Sequence, residues 1–348
     1  MPKKCCAVIL AAGEGKRMKS NRPKVLSQVL FKPMLQWVID SADTAGINDI
    51  CVVTGHKHED VEKYLSQHNS SQTGPRVCHA LQSERKGTGH AVMMASDFLS
   101  KHIDSNVLIL NGDAPFVDSN IIKDALDDHV ANGNAVTVIS ALLSDPTGYG
   151  RIVRDPETGL ISAIVEQKDA GEKILAINEI NSGAYWFKVK DLLDILKHIS
   201  NNNAQGEYYL TDAVKLLISS GKRADAHKTD NSNAVLGAND CLQLSELNSI
   251  ARNEILSRHM QNGIEIPITD GIIIGPDVKI GNYTCILPGT ILCGDTVIGS
   301  SCKLGPNSFL SGCSVGDNVI LNYVQCKNCS IKSNRAIEPF SVINHNID

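Results

Sequence analysis

The sequence predicts an α/β domain built on a mostly parallel sheet, followed by a short parallel β-helix of hexapeptide repeats. Two observations carry this reading. Over the first two-thirds of the chain, short apolar runs bounded by glycine alternate with stretches of helical spacing. Near the C-terminus, large aliphatic residues return at every sixth position.

The elements follow in order. Ala7–Ala11 reads as a strand, Pro33–Ala45 as a helix, Asp49–Thr54 as a strand and His58–His68 as a helix. Gly89–Leu99 reads as a helix, Asn106–Leu110 as a strand, Ser119–Ala131 as a helix and Ala135–Leu142 as a strand. Such alternation implies parallel strands covered on both faces, with ligands bound beyond their C-terminal ends. Around Lys228–Asn233 the composition turns polar, which suggests a domain edge. Leu242, Leu244, Leu247, Ile250 and Ile255 then recur at roughly helical spacing, as in a helical arm. Ile268, Ile274, Ile280, Ile286, Leu292, Ile298, Leu304 and Leu310 keep a strict period of six. Four residues after each comes a mostly small or β-branched residue, from Ile272 to Ser314. The phase slips after Leu310 and resumes at Val315 and Leu321, then at Ile331, Ile337 and Ile343. The expected domains are 1–228, a helical arm over 229–262, and a β-helix over 263–348.

Bulk properties narrow the function. A chain of 348 residues, 42% hydrophobic, can build two domains. The net charge of −5 and the lack of a basic block argue against a nucleic-acid partner. The apolar run Cys5–Ala12 is short and is followed at once by glycines and charges, so a buried first strand running into a loop fits better than a signal peptide. No stretch approaches the roughly 20 apolar residues that would span a bilayer, so no membrane insertion is expected. The eleven cysteines match no secreted disulfide framework. Cys326 and Cys329 have metal-like spacing, but no second CxxC or His pair joins them. Reduced thiols in a cytoplasmic protein are the expectation.

The chemistry concentrates after the first strand. Leu10-Ala11-Ala12-Gly13-Glu14-Gly15-Lys16-Arg17-Met18 places two glycines where backbone N–H groups can approach a phosphate. It matches neither a Walker A loop nor a dinucleotide fingerprint. Asp113 stands at the end of an apolar strand, where a carboxylate meets ligands.

This loop, followed by Arg22-Pro23-Lys24-Val25-Leu26, resembles the signature of sugar-1-phosphate nucleotidyltransferases. Gln82 with Gly87-Thr88-Gly89-His90-Ala91 resembles a segment of the bacterial N-acetylglucosamine-1-phosphate uridyltransferases. So do Leu110-Asn111-Gly112-Asp113, Gly148–Ile152, Val165–Asp169, Asn181-Ser182-Gly183, Asn201–Asp212 (NNNAQGEYYLTD) and Gly237–Asp240. The resemblance implies a Rossmann-like nucleotidyltransferase domain and a left-handed β-helix. It implies that the phosphate of N-acetylglucosamine 1-phosphate attacks the α-phosphorus of UTP, giving UDP-N-acetylglucosamine and pyrophosphate. Such transfer needs in-line positioning and neutralised charge rather than covalent help. By the same resemblance, Arg17, Lys24 and Asp113 are catalytic, and Asp113 and Asn239 hold one Mg²⁺. Leu10, Ala11, Ala12, Gly13, Lys24, Gln82, Gly87, Thr88, Asn111 and Gly112 bind the nucleotide. Gly150, Glu166, Asn181 and Asn239 contact the sugar. A homotrimer assembled through the β-helix is implied as well.

Several positions depart from the family pattern. Lys16 replaces Thr, Asn111 a frequent Tyr, Ser182 a Thr, and Cys241 a common Arg. Full-length relatives also acetylate glucosamine 1-phosphate. Here the match runs through Ile337-Glu338-Pro339-Phe340, Asn344 stands where the family has an acceptor-binding Arg, and His345 lies in no matching motif. The expectation is that acetyltransferase activity is absent. Three alternatives stay open from sequence: another nucleotidyltransferase using dTTP or GTP with a hexose 1-phosphate, a hexapeptide-repeat acyltransferase, and a non-catalytic scaffold.

Overall fold

The computed structural model describes residues 4–68 and 74–347, the side chain of His68 excepted. The chain divides into two compact units, Met1–Ser27 with Pro33–Cys241, and Gln28–Lys32 with Leu242–Asp348.

The first unit is an α/β domain. Its strands are β1 (Cys5–Ala11), β2 (Asp49–Thr54), β3 (Arg76–Leu81), β4 (Asn106–Asn111), β5 (Val136–Leu142), β6 (Arg151–Arg154), β7 (Ile161–Val165), β8 (Glu179–Lys188) and β9 (Ala224–Thr229). The main path of the sheet runs β9-β5-β8-β4-β1-β2-β3, and the β6–β7 hairpin attaches to β8. β1 pairs in parallel with both β2 and β4, whereas β8 is antiparallel to β4 and β5. Side chains alternate between faces, so each strand feeds two cores. Cys6, Val8, Val107 and Ile109 enter one core; Ala7, Ile9, Leu108 and Leu110 enter the other. Helices cover both faces, which is why these strands read as unbroken apolar runs.

The helices are α1 (Met34–Thr44), α2 (His58–His68), α3 (Thr88–Met94), α4 (Ser96–Ser100), α5 (Ser119–Ala131), α6 (Val189–Leu196) and α7 (Thr211–Ser219), leaving aside the four-residue turn Glu172–Leu175. Asp118 caps α5 by accepting from the Asn120 and Ile121 amides at 2.8 and 3.0 Å. The helix expected over Gly89–Leu99 is two helices, because Ala95 turns to φ −87°, ψ 9° and the Ser96 hydroxyl donates to the Met93 carbonyl. The edge strand β3 was not expected; its alternation is mostly exposed, so no apolar run announces it.

The polar stretch Lys228–Asn233 is not a domain edge. Lys228 and Thr229 pair with Ser140 and Ala141 on β5, and Ala234 and Val235 are then buried at 0% and 3% exposure. The polar residues instead build a turn, with the Asn231 side chain accepting from the Asn233 amide. The first unit therefore continues to Cys241, which keeps Asn239 within it.

The second unit contains the β-helix and, from Leu242 onward, α8 (Cys241–Gln261). The buried stripe of α8 is Leu247, Ala251, Ile255, Leu256 and His259, while Leu242, expected on it, is 84% exposed. Asn248 accepts from the Leu30 amide at 2.9 Å, tying the short segment Gln28–Lys32 to this unit. The β-helix consists of three parallel sheets of five, four and four strands. Coils are eighteen residues long at first, Ile274 stacking under Leu292 and Leu292 under Leu310. Sixteen then separate Leu310 from Cys326, and Val315 from Ile331. The slip after Leu310 thus comes from corners shortened by one residue. It makes Cys326 the inward residue between Leu310 and Ile343, a position that the aliphatic pattern skips. It also turns Ser314 outward and buries Cys313 in its stead, and Ile268 is 54% exposed rather than inward.

Candidate active site

The site is built where β1 and β4 end side by side. Leu10 pairs with Asn111, and the Gly112 amide donates to the Leu10 carbonyl at 2.9 Å. The loop after β1 and the turn carrying Asp113 therefore leave the sheet together, beyond the C-terminal strand ends. Lys24 lies in a short 3₁₀ turn, Lys24–Leu26, and is 9% exposed. Its ammonium donates to Asn239 Oδ1 at 2.7 Å and pairs with Asp113 Oδ2. A Cβ at Gly237 would stand 3.0 Å from the Asp113 carbonyl oxygen, so the Gly237–Asn239 segment lies directly against that turn. Three residues far apart in sequence thus converge on one point.

Two adjoining cavities open there. One, about 170 Å³, is lined by Leu10, Gly13, Gly15, Lys16, Arg17, Lys24, Val25, Asp113 and Asn239. The other, about 550 Å³, shares Leu10, Gly13, Lys16 and Asp113 with it and extends over Ala12, Gln82, Gly87, Thr88 and Asn111. Ala11, the last residue of β1, is buried and lines neither cavity. A separate cleft at the opposite strand ends, lined by Lys4, Asp49, Arg76 and Lys101 among others, contains none of these residues.

The Gly87–Ala91 segment and the NNNAQGEYYLTD segment meet at the larger cavity. The Tyr208 amide donates to the Lys86 carbonyl at 2.7 Å, the Gly89 amide to the Tyr208 carbonyl at 2.7 Å, and the Leu210 amide to Thr88 Oγ1 at 3.1 Å. Gly87 adopts φ 99°, ψ 176°, and a Cβ there would lie 2.6 Å from the Tyr208 carbonyl oxygen. Gln82 is 4% exposed, and its Nε2 lies 3.0 Å from both the Gly87 carbonyl and His90 Nδ1. Both amide protons are engaged, so the group Gln82 offers a ligand is its carbonyl oxygen.

The residues assigned to the sugar form a second group. The Asn181 amide donates to the Gly150 carbonyl at 2.9 Å, and a Cβ at Gly150 would lie 3.4 Å from Glu166 Oε2. The Asn181 side chain donates to Tyr185 Oη at 2.6 Å and accepts from the Gly183 amide at 3.0 Å. β8 shifts register between Asn181 and Tyr185, and Gly183 (φ 78°) leaves the room that the Asn111 side chain fills. Asn111 therefore borders the large cavity and touches the strand that carries Asn181. Glu166 accepts from Thr211 Oγ1 at 3.2 Å. Burial raises its pKa above the usual carboxylate value, against the opposing pull of that hydrogen bond. Asn239, assigned to both sugar and metal, lies with Lys24 and Asp113.

Sequence reading missed several residues here. Arg85, Glu14 and Glu207 line the larger cavity. Arg85 pairs with Glu14 at 3.0 Å, and Lys16 approaches the same carboxylate at 3.5 Å. Thr211 and Tyr185 support the sugar group. Thr211 stood inside the NNNAQGEYYLTD signal, but nothing in one sequence places it beside Glu166.

The point where Asp113 and Asn239 meet suits a hard cation. One carboxylate and one amide oxygen both aim at a positive charge, the Lys24 ammonium. Among the described residues, no cluster of three or more His, Cys, Asp or Glu could hold a metal. A dication gripped by these two oxygens would draw its other ligands from phosphate and water, as Mg²⁺ commonly does.

Comparison with known proteins places the chain in a family. The family described as "Nucleotidyl transferase" matches residues 6–238. The bifunctional protein GlmU of Thermoanaerobacter pseudethanolicus is 45% identical over 97% of this chain and 71% of its own length. That of Acetivibrio thermocellus is 43% identical over the same shares. A putative glucose-1-phosphate thymidylyltransferase from Bacillus anthracis, solved in complex with a sucrose, shares the fold with a TM-score of 0.59 at 20% identity, over 72% of this chain and 96% of that one. With its catalytic-type residues gathered at the strand ends and its sequence aligned along nearly its whole length, the chain belongs to the nucleotidyl transferase family, among the GlmU proteins.

Proposed function

We propose that this enzyme transfers a uridylyl group from UTP to N-acetylglucosamine 1-phosphate, releasing pyrophosphate, with Mg²⁺ held by Asp113 and Asn239. The observation that carries the reading is the convergence of Lys24, Asp113 and Asn239 beside the Leu10–Gly13 loop. In the reaction an oxygen of the sugar phosphate forms a bond to the α-phosphorus of UTP. The bond from that phosphorus to the bridging oxygen breaks, and pyrophosphate leaves. Held by Asp113 and Asn239, a dication would supply charge neutralisation at the triphosphate. Lys24 and Arg17 add positive charge on the protein side, where preorganised cations act at no reorganisation cost. Backbone N–H groups of the Ala12–Gly15 loop cradle phosphate oxygens. The Gln82 carbonyl reads the base, with the backbone of Gly87 and Thr88 beside it. Gly150, Glu166 and Asn181 hold the sugar, Glu166 accepting from its hydroxyl or acetamido N–H.

The β-helix associates as a homotrimer in this reading. Tyr283, Phe340 and Val342, exposed at 82%, 81% and 70%, are apolar side chains that association could cover. Light scattering coupled to gel filtration tests it, and a monomer at assay concentration would refute it. None of the eleven cysteines is in a disulfide, which fits a cytoplasmic enzyme. Among the described residues, no helix is long and apolar enough to cross a membrane.

The decisive assay is pyrophosphate release with a panel of nucleotides, divalent cations and sugar phosphates. UTP with N-acetylglucosamine 1-phosphate and Mg²⁺ should give the highest kcat/KM. A preference for dTTP, or for glucose 1-phosphate, would overturn the substrate assignment.

A further inference from the structure

The role of His90 is carried by hydrogen-bond geometry at Gln82. The Gln82 backbone is pinned at the end of β3, its amide donating to the Thr54 carbonyl at 2.8 Å. Its side-chain amide could in principle present either its NH₂ or its carbonyl to the base. Two contacts remove that freedom. The Gly87 carbonyl can only accept, so the amide atom 3.0 Å away is the nitrogen. The second proton on that nitrogen points at His90 Nδ1, also at 3.0 Å. That contact needs a neutral imidazole with its proton on Nε2, so that Nδ1 accepts. His90 sits in the first turn of α3, which fixes where its ring can lie, and Tyr208 packs alongside at 6.2 Å between ring centroids. Gln82 lines the large cavity, whereas His90 is not among its lining residues.

We propose that His90 is a positioning residue that holds the Gln82 amide with its carbonyl oxygen toward the bound base, and thereby sets the choice of uridine over cytidine nucleotides. Uracil presents N3–H, a donor that this carbonyl accepts. Cytosine presents a bare N3 lone pair, which would face the carbonyl oxygen without a proton between them. A flipped amide would welcome cytosine, and His90 together with the Gly87 carbonyl prevents the flip. Removing one of the two restraints should weaken the selection without abolishing it. The inference rests on the proposed use of UTP and on Gln82 reading its base.

The test compares kcat/KM for UTP and CTP, with N-acetylglucosamine 1-phosphate, in the wild-type enzyme and in the variants His90→Leu and His90→Asn. Leucine keeps bulk but cannot accept; asparagine keeps an acceptor oxygen. His90→Leu should lower the UTP:CTP ratio by about 3- to 10-fold, the range that one hydrogen bond spans. The loss should fall mainly on KM for UTP, and His90→Asn should restore most of the ratio. An unchanged ratio in a folded His90→Leu enzyme overturns the inference. Equal losses in both variants also overturn it, because packing and not acceptance would then be at work. A wild-type enzyme that does not prefer UTP to CTP would refute instead the reading of Gln82 on which the inference stands.

Discussion

Replacing Gly87 by alanine probes the junction that joins the base-reading segment to residues 207–210. Gly87 holds φ 99°, ψ 176°, a region essentially closed to residues with a Cβ. Occupying it costs an L-residue about 1–3 kcal/mol. The added methyl would also sit 2.6 Å from the Tyr208 carbonyl oxygen, 2.9 Å from Glu207 Cβ and 3.0 Å from the Tyr208 nitrogen. Two of these atoms are backbone, held by the Tyr208–Lys86 and Gly89–Tyr208 hydrogen bonds at 2.7 Å, so they cannot swing aside. Relieving such overlap costs about another 1–3 kcal/mol. A loss of about 2 kcal/mol or more should lower the melting temperature of the nucleotidyltransferase unit by at least about 4 °C. Because the Gly87 carbonyl anchors Gln82, KM for UTP should rise more than kcat falls. Circular dichroism melts and steady-state kinetics read both effects. A variant that melts within a degree of wild type with unchanged KM for UTP would refute the close packing deduced at this junction.

Asp113→Ala should lower kcat by about 100- to 1000-fold with the fold intact by circular dichroism, as loss of one preorganised charge in a transfer site does. Lys24→Ala should cost a similar factor, and the double variant should fall well short of the product of the two, because both act at one point; full multiplicativity would separate their roles. Glu166→Gln should raise KM for the sugar phosphate and flatten the pH dependence of stability. Burial raises the folded-state pKa of Glu166, so the native state binds the proton more tightly than the unfolded chain does. Its contribution is therefore present below the unfolded pKa and is lost as pH rises through the folded one. Melts across that acid range that are identical for wild type and Glu166→Gln would contradict this sign. Arg85→Ala should raise KM for UTP by roughly 2- to 5-fold at low salt, since its pair with Glu14 is partly exposed and worth about 1 kcal/mol or less. The effect should fade at high ionic strength, and an undiminished effect in 1 M salt would point away from the ion pair.

Periodicity and composition are local properties, and what they encode was legible. The apolar runs of β1, β2 and β4 are buried on both faces, so they announce themselves, whereas edge strand β3 alternates mostly in the open and did not. The six-residue repeat reported a β-helix because every coil must bury the same inward position. It lost Cys326 where two corners are one residue shorter, since a thiol at a shifted phase does not look like a stacked aliphatic. The polar turn after β9 misled because hydrophilic residues mark a turn within a domain as readily as a boundary.

By itself, then, the sequence determined the two architectures and supplied the side chains proposed for the chemistry, through the loop after β1, Gln82 with the GTGHA segment, Asp113 and Asn239. Only the tertiary structure decided which of them meet. Lys24 and Asn239 stand 215 positions apart yet share a hydrogen bond, and Tyr208 and Gly89 stand 119 apart yet are laced together. The orientation of the Gln82 amide likewise comes from the acceptors packed behind its nitrogen. Contacts of this kind arise when the sheet brings distant strand ends side by side, and no local pattern of residues encodes that adjacency.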